Sequence, residues 1–388
     1  MIKKIVLEKL YILLTIIAIG GYSAMSLLSQ ESSTIYESTD RIEIKFFVGL
    51  LFLLTSLYII ANTKYINFCS IGKILLIFSC YLAISKTITL HTTASILSFF
   101  YHPIRELLVI TLFIFANIIA AKSEELLKFF STGLFLALII TAITYFKNWT
   151  FFNELSQTHL ATAYYTLFLL PIILVSPYKW IRYCSIVIVG AAIISSFKRG
   201  GLIAFILAIV AYLFIKEVVI ERKFTRILLF ILLIIVMFLT LVYIDNSMGN
   251  IMTERLFNIA VDGGSGRNQI WDVTWDMIKR SDIEQLLFGH GYSAVIRDSY
   301  LEQSAHNDFI EVLYDWGLFI FIPYLFLHLL LIKQIYILIK QKSEHAPISA
   351  FAYVFFLILS VVSIVVLYPL MVLISMYWGV IYAKQIAK

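Results

Sequence analysis

The sequence predicts an all-α polytopic membrane protein with about twelve transmembrane helices and one large outer loop that contains short helices. Hydrophobic residues make up 61% of the 388 residues and charged residues only 14%, which is more apolar surface than a soluble protein can shield from water. The apolar residues also form runs long enough to cross a bilayer, which takes ~20 residues as a helix. Helices satisfy their own backbone hydrogen bonds, so they suit a lipid environment.

Apolar runs define these predicted crossings, and one polar stretch interrupts the series. We therefore divide the chain into nine transmembrane helices over 1–244, a large loop over 245–308, and three transmembrane helices over 309–388. The apolar runs cover residues 10–28, 46–60, 74–90, 107–121, 129–145, 160–175, 184–194, 202–215, 227–244, 309–332, 348–367 and 370–383.

The distribution of lysine and arginine predicts the topology. Most of the 30 basic residues fall at the chain ends and in alternate short connections, such as those that hold Lys64, Lys122 and Lys179. By the positive-inside rule both termini are cytoplasmic, and the large loop lies outside. The net charge of +6 is spread over these connections, so we expect no nucleic-acid partner. The three cysteines show neither a disulfide framework nor a metal knuckle, and we expect no metal or cofactor.

Lys198 and Arg199 run against this charge bias. They lie on the predicted outer side in SSFKRGGL, residues 195–202, where two glycines let a ligand approach the backbone. One interpretation is an anchor in lipid headgroups. The other is an anion site, because a guanidinium binds phosphate oxygens in a bidentate manner. The position on the outer side favours the anion site.

The large loop contains a second candidate anion site at Arg267. In VDGGSGRNQIWDVTWDMIKR, residues 261–280, a glycine-rich turn leads through Arg267 into a helical pattern. The free N–H groups at such a helix start suit a phosphate, although an ordinary surface arginine is the alternative. We expect the helix to lie on the bilayer surface with its tryptophans among the headgroups. Its predicted apolar face comprises Ile270, Trp271, Thr274, Trp275 and Ile278.

The strongest catalytic candidate is His306, in SAHNDFIEVLYDWG, residues 304–317. Asn307 is a suitable N-cap, and Asp308 and Glu311 are favourable near the positive end of a helix dipole. Capping does not explain His306. An imidazole can take a proton from a hydroxyl, and Asp308 or Glu311 could orient it. A plain interfacial histidine is the alternative.

Two further histidines are candidates for lining the same cavity, together with Asn307. His290 stands between two glycines in LLFGHGYS, residues 286–293, where a turn residue is a simpler interpretation than a base. His159 lies at a predicted outer helix end in ELSQTHLATAYY, residues 154–165.

These motifs together resemble the O-antigen polymerase and ligase superfamily. The resemblance is carried by SFKRGG, then GSGRNQIW and LFGHGYS in the large loop, then HNDFIEVLYDWG at the start of a helix. In that family a histidine followed by Asn, Ser or Gln precedes a glycine after nine residues, as His306 precedes Gly317 here. The family then prefers Gly, Thr or Val three residues on, where this chain has Ile320.

The resemblance implies a glycosyltransferase of the bacterial inner membrane with its active site on the periplasmic face. Its donor would be an undecaprenyl-diphosphate-linked oligosaccharide, and no metal or nucleotide sugar would take part. By the resemblance, Arg199 and Arg267, with Lys198 beside them, would bind the diphosphate, and His306 would deprotonate the acceptor hydroxyl. A chain-length regulator and a flippase of the same pathway are the implied protein partners.

Three functions compete at this stage. The first is an O-antigen polymerase, which joins carrier-linked repeat units, and Ile320 with HNDFIEVLYDWG favours it. The second is an O-antigen ligase, which transfers the finished glycan to lipid A-core with the same three residues. The third, a transporter of lipid-linked sugar, predicts ionisable residues at mid-bilayer and internal repeats, and the sequence shows neither clearly.

Overall fold

The computed structural model describes residues 2–29, 42–66, 69–90, 96–148, 163–196, 198–223, 266–363 and 370–386, together with 239, 242, 243, 246 and 365. All regular structure in these ranges is helical. The helices are α1 Ile2–Ser29, α2 Ile42–Ala61, α3 Ser70–Leu90, α4 Ile96–Lys122, α5 Glu124–Lys147, α6 Tyr164–Ile173, α7 Lys179–Ser195, α8 Arg199–Leu213, α9 Arg267–Arg280, α10 Ile283–Phe288, α11 Ala294–Asp298, α12 Asp308–Lys340, α13 Ala346–Val362 and α14 Leu370–Ile386.

The predicted helical class is confirmed, whereas the predicted count of twelve crossings is not. Seven described segments are long and apolar enough to cross a membrane, and α8 reaches that length through a π-helical turn, Phe214–Ile220. Four predicted crossings correspond to α6, α7, α13 and α14, which have 10 to 17 residues. The predicted run at 227–244 lies almost entirely outside the described residues. The seven segments are Ile5–Ser26, Ile42–Ala61, Ser70–Thr89, Phe99–Lys122, Glu124–Lys147, Arg199–Ile220 and Asp308–Lys340.

The chain forms two compact units. The first comprises Met1–Lys198, Pro323–Leu330 and Val365–Lys388, and the second comprises Arg199–Ile322 and Leu331–Ile364. In the first unit α4 is central, because α2, α3 and α14 all pack on it. The contact with α14 is close enough for the Asn117 side chain to donate a hydrogen bond to the Gly379 carbonyl at 3.1 Å.

Ion pairs join several helix ends of the first unit. Lys122, the last residue of α4, binds Glu8 of α1 at 2.7 Å, and its ammonium group also donates to the Asn62 side chain. Lys9 binds Glu125, and Lys384 of α14 binds Glu124. Each of these three lysines therefore has its own carboxylate.

In the second unit, α8 packs on α13, with Phe205 and Phe351 in edge contact at 6.4 Å between ring centroids. The described part of the predicted large loop contains the three short helices α9, α10 and α11. A small apolar core holds these helices on the start of α12, and the side of the membrane on which they lie stays a prediction. That core comprises Ile278, Ala294, Val295, Ala305 and Tyr314.

Candidate active site

The start of α12 is fixed by the cap that the sequence predicts. The Asn307 side chain accepts hydrogen bonds from the backbone N–H groups of Phe309 at 3.0 Å and Ile310 at 3.3 Å. This satisfies two of the donors that a helix start leaves without intrahelical partners. His306 immediately precedes the cap and has φ +49°. That left-handed conformation is uncommon for residues other than glycine and often marks a functional site.

The peptide before His306 is held on both sides. Glu311, one turn into α12, accepts a hydrogen bond from the Ala305 N–H at 2.6 Å through Oε2. The indole of Trp271 donates to the Ala305 carbonyl at 2.7 Å. Because Ala305 is fully buried, both of its backbone groups need protein partners. Glu311 and Trp271 thus fix the backbone from which the partly exposed His306 side chain projects.

The Trp271 contact also connects the helix of Arg267 to the His306 turn. Arg267 is the first residue of α9, directly after Gly266 with φ +78°, and Trp271 follows one turn later. The structure therefore brings the start of α9 and the His306 turn into one neighbourhood. Ile270, Thr274 and Ile278 of the predicted face are buried, while Trp275 is 47% exposed. Trp271 therefore binds the Ala305 carbonyl inside the protein, and Trp275 is exposed enough to reach the predicted headgroup zone.

His290 holds its loop against α12. Its backbone N–H donates to the Tyr314 carbonyl at 3.0 Å, and its ring stacks on Tyr314 at 4.1 Å between centroids. Nε2 shares a hydrogen bond of 2.8 Å with the Ser281 hydroxyl. Burial lowers the pKa of His290 from its usual 6.5, and Arg297 acts in the same direction while Asp298 opposes it. These contacts favour the interpretation of His290 as a turn residue over that of a base.

Two glycines let this loop approach α12 closely. Gly317 interrupts the helix with φ +65° and ψ −174°, and a Cβ there would lie 2.5 Å from the Gly289 nitrogen and the Leu287 carbonyl oxygen. Gly289 has φ +80°, and a Cβ on it would overlap the Asp315 carbonyl oxygen. The glycine that closes the sequence motif is therefore required by the packing of the loop on the helix.

Three buried acids on one face of α12 are the main feature that sequence analysis missed. Asp308 and Asp315 are fully buried and Glu311 nearly so. Asp315 accepts the Val295 N–H at 3.0 Å, whereas Glu311 Oε1 and Asp315 Oδ2 are buried without a hydrogen-bond partner in the described structure. Their spacing of three and seven residues predicts a common face. That face is buried because the backbone of residues 293–295 and 305 packs against it and donates hydrogen bonds to Glu311 and Asp315.

The remaining predicted site residues precede the large loop in the sequence. Arg199 is the half-buried first residue of α8 and belongs to the same unit as Arg267 and His306. Lys198 precedes it, belongs to the first unit, and donates its backbone N–H to the Ser196 hydroxyl at 3.4 Å. His159 lies outside the described residues. Convergence of Arg199, Arg267 and His306 stays a prediction.

A protein-family model matches the part of the chain that contains these residues. Residues 184–325 fit the family model Wzy_C, described as O-antigen ligase. This region is similar to the O-antigen ligase family, and the match covers about a third of the chain. It confirms the predicted place in the O-antigen polymerase and ligase superfamily, and it contains Arg199, Arg267 and His306. No curated protein matches the chain. With the apolar helices of the chain, the O-antigen ligase match indicates a multi-pass membrane protein with glycosyl-transfer-type activity on lipid-linked glycans.

Proposed function

We propose that the protein is an O-antigen polymerase that joins undecaprenyl-diphosphate-linked repeat units at the periplasmic face of the inner membrane. The observation that carries this proposal is the turn that holds His306, where Glu311 and Trp271 fix both backbone groups of Ala305. Fixing the backbone of a base restricts where its ring can point, and such positioning contributes strongly to catalysis. The same tryptophan follows Arg267 by one turn, which puts a cation on the helix that supports the base.

In the proposed step, a nitrogen of the His306 imidazole takes the proton of an acceptor sugar hydroxyl. The acceptor oxygen forms a bond to the anomeric carbon of the donor sugar. The bond from that carbon to the diphosphate oxygen breaks, and the lipid diphosphate leaves with the electron pair. Attack from the face opposite the leaving group inverts the anomeric configuration.

Arg199 and Arg267, with Lys198 beside them, would bind the departing diphosphate. Two guanidinium groups can form charge-assisted hydrogen bonds to its oxygens and stabilise the negative charge that grows there in the transition state. Arg267 is suited to this role by its place at the start of α9, where free backbone N–H groups add to the positive field. In the proposed reaction, basic side chains therefore stabilise the negative charge of the leaving diphosphate.

The alternative function is that of an O-antigen ligase, which would use the same donor to glycosylate lipid A-core. The description of the matching family as O-antigen ligase favours it. The departure of the motif at Ile320, a fully buried residue of α12, favours the polymerase. Deletion of the gene separates the two when surface polysaccharide is resolved on a gel. Core that carries one repeat unit supports the polymerase, bare core with carrier-bound polymer supports the ligase, and unchanged polysaccharide contradicts both.

His306→Ala tests the proposed base in the deletion strain. We expect polymer formation to fall by about 10²- to 10⁴-fold, the usual contribution of a general base, with unchanged abundance of the protein in the membrane. Gln303→Ala alters an exposed side chain of the same loop and serves as the matched control, with activity close to wild type. Full polymer formation by His306→Ala would show that the base is another group.

A further inference from the structure

Helix α10 carries a group of exposed apolar side chains. Of its six residues, Ile283 is 71%, Leu287 41% and Phe288 57% exposed. Ile283 and Leu287 are four positions apart, so they share one side of the helix. Single apolar side chains are common on soluble surfaces, but a continuous group of large ones marks a site of interaction with another protein or with a membrane. We call Ile283, Leu287 and Phe288 the α10 face.

Helix α10 is also fixed to the protein, through Leu286. That side chain packs against the small apolar core that contains Ala305, the residue before His306. The helix begins with a capping box, in which Asp282 accepts the backbone N–H of Gln285 at 2.8 Å and Gln285 accepts that of Asp282 at 3.0 Å. The α10 face therefore belongs to a well-defined helix that is connected through its core to the His306 turn.

The end of α10 lies against the break in α12. A Cβ on Gly317 would lie 2.5 Å from the Leu287 carbonyl oxygen. Phe288 contacts Phe319 of α12 with 6.3 Å between the ring centroids. Phe319 is 54% exposed and belongs to Asp308–Lys340, a segment long and apolar enough to cross a membrane. The α10 face is therefore continuous with an exposed apolar surface of α12.

We infer that the α10 face inserts into the lipid leaflet at the start of α12. Its continuity with Phe319 selects lipid as the occupant, because exposed apolar side chains of a membrane-spanning segment face hydrocarbon. Interfacial helices bury such side chains about 5–10 Å into the boundary between headgroups and acyl chains. Arg280 and Glu284 are exposed beside the face, where their charges can stay among the headgroups. Helix α10 then holds the His306 turn at a fixed depth in the interface.

Sequence analysis predicts a surface helix at α9 rather than at α10. On α9, however, Ile270, Thr274 and Ile278 of the predicted apolar face are buried. The six residues of α10 are too few for a helical period to show in the sequence. The role of α10 follows instead from the exposure of its face and from its contact with α12.

Spin labels on the purified full-length protein in lipid nanodiscs test the insertion. With the three native cysteines replaced by alanine, a single label is placed at Leu287→Cys. Phe319→Cys is the lipid reference, and Lys279→Cys, at a side chain 71% exposed, is the water reference. Oxygen concentrates in hydrocarbon and a nickel chelate in water, so the ratio of their relaxation effects measures immersion. We expect that ratio at Leu287→Cys to be within about threefold of Phe319→Cys and about tenfold above Lys279→Cys.

Three results of this measurement would overturn the inference. A ratio at Leu287→Cys equal to that at Lys279→Cys places the α10 face in water. Low accessibility to both oxygen and nickel places the face under another part of a protein. Dipolar broadening between labels on two copies assigns it to a contact with a second copy of this chain.

A photo-crosslinker tests the same face with the native cysteines in place. Benzoylphenylalanine in place of Leu287 is irradiated in native membranes, and mass spectrometry identifies the adducts. We expect lipid adducts from this position, as from Phe319, and about tenfold fewer from Lys279. Protein adducts from Leu287 without lipid adducts contradict the inference. Neither measurement involves glycan transfer, so the inference stands or falls apart from the polymerase proposal.

Discussion

Helix α12 changes character at Gly317. Before it, Asp308, Glu311 and Asp315 are buried, and Glu311 and Asp315 accept the backbone N–H groups of Ala305 and Val295. Just after it, Phe319 is 54% and Ile322 48% exposed, and both are apolar. Buried acids held by backbone N–H groups are what a folded aqueous domain shows, while exposed apolar side chains are typical of a helix in lipid. The same helix therefore serves two environments, and the glycine separates them.

A side chain at Gly317, where the two parts of α12 meet, should have the largest effect on stability. Gly317→Ala forces a side chain into the left-handed region and against the loop at Gly289, so we expect a loss of about 3 kcal/mol in stability and release of that loop. Limited proteolysis of the purified protein would measure the release. Gly266→Ala is the control, because it also has a positive φ but meets nothing within 4 Å, and it should cost only about 1 kcal/mol. Equal protection of both variants would contradict the role given to Gly317.

Removing a buried acid should have the next largest effect. Glu311→Ala leaves the Ala305 N–H without its acceptor, which costs about 2 kcal/mol and should loosen the His306 turn. Glu311→Gln keeps an acceptor oxygen and should restore most of the polymer formation that Glu311→Ala loses. Polysaccharide gels with matched membrane abundance would measure this. If Glu311→Gln is as inactive as Glu311→Ala, the charge matters more than the hydrogen bond.

The smallest effect concerns pH. His290 has a lowered pKa in the folded loop, so folding favours its neutral form. Its contribution to stability is complete above the unfolded value of about 6.5 and is lost as pH falls below that value. We expect the loop to become more sensitive to protease between pH 7.5 and pH 5.5. His290→Phe keeps the stack on Tyr314 but cannot titrate, so its sensitivity should change less over this range. An identical pH response in both proteins would exclude His290 as the cause.

Local rules predict much of α12 and its cap. Asn307 followed by apolar residues at helical spacing is enough to place the helix start, and the loop helix α9 follows from its apolar face in the same way. The break at Gly317 escapes such rules, because the apolar pattern continues past it and only the loop at Gly289 requires it. Residue patterns identify Arg199, Arg267 and His306 as candidates and the family resemblance gives them roles, but a sequence does not contain the distances between them.

Contacts between distant positions account for what remained hidden. The burial of Asp315 depends on the Val295 N–H, which comes twenty residues earlier. Likewise, Lys86 meets Glu106 only because α3 packs on α4. The predicted count of about twelve crossings is not confirmed, for a different reason. An apolar run shows that a segment is buried or in lipid. The described helix α6 has 10 residues, all buried, so composition and length do not decide whether this run crosses the membrane.

The packing of α14 has a consequence for biosynthesis. A Cβ at Gly379 would overlap the Phe113 carbonyl oxygen of α4, and Asn117 of α4 donates a hydrogen bond to the Gly379 carbonyl. Lys384 of the same helix binds Glu124 of α5. The first unit is therefore completed by a helix that the ribosome makes after the residues of the second unit. Helices α1 to α5 must wait in the membrane, with the α14 surface of α4 uncovered, until α14 has been made. A chain that stops before α14 would contain the whole region that matches the O-antigen ligase family and still leave the first unit unfinished.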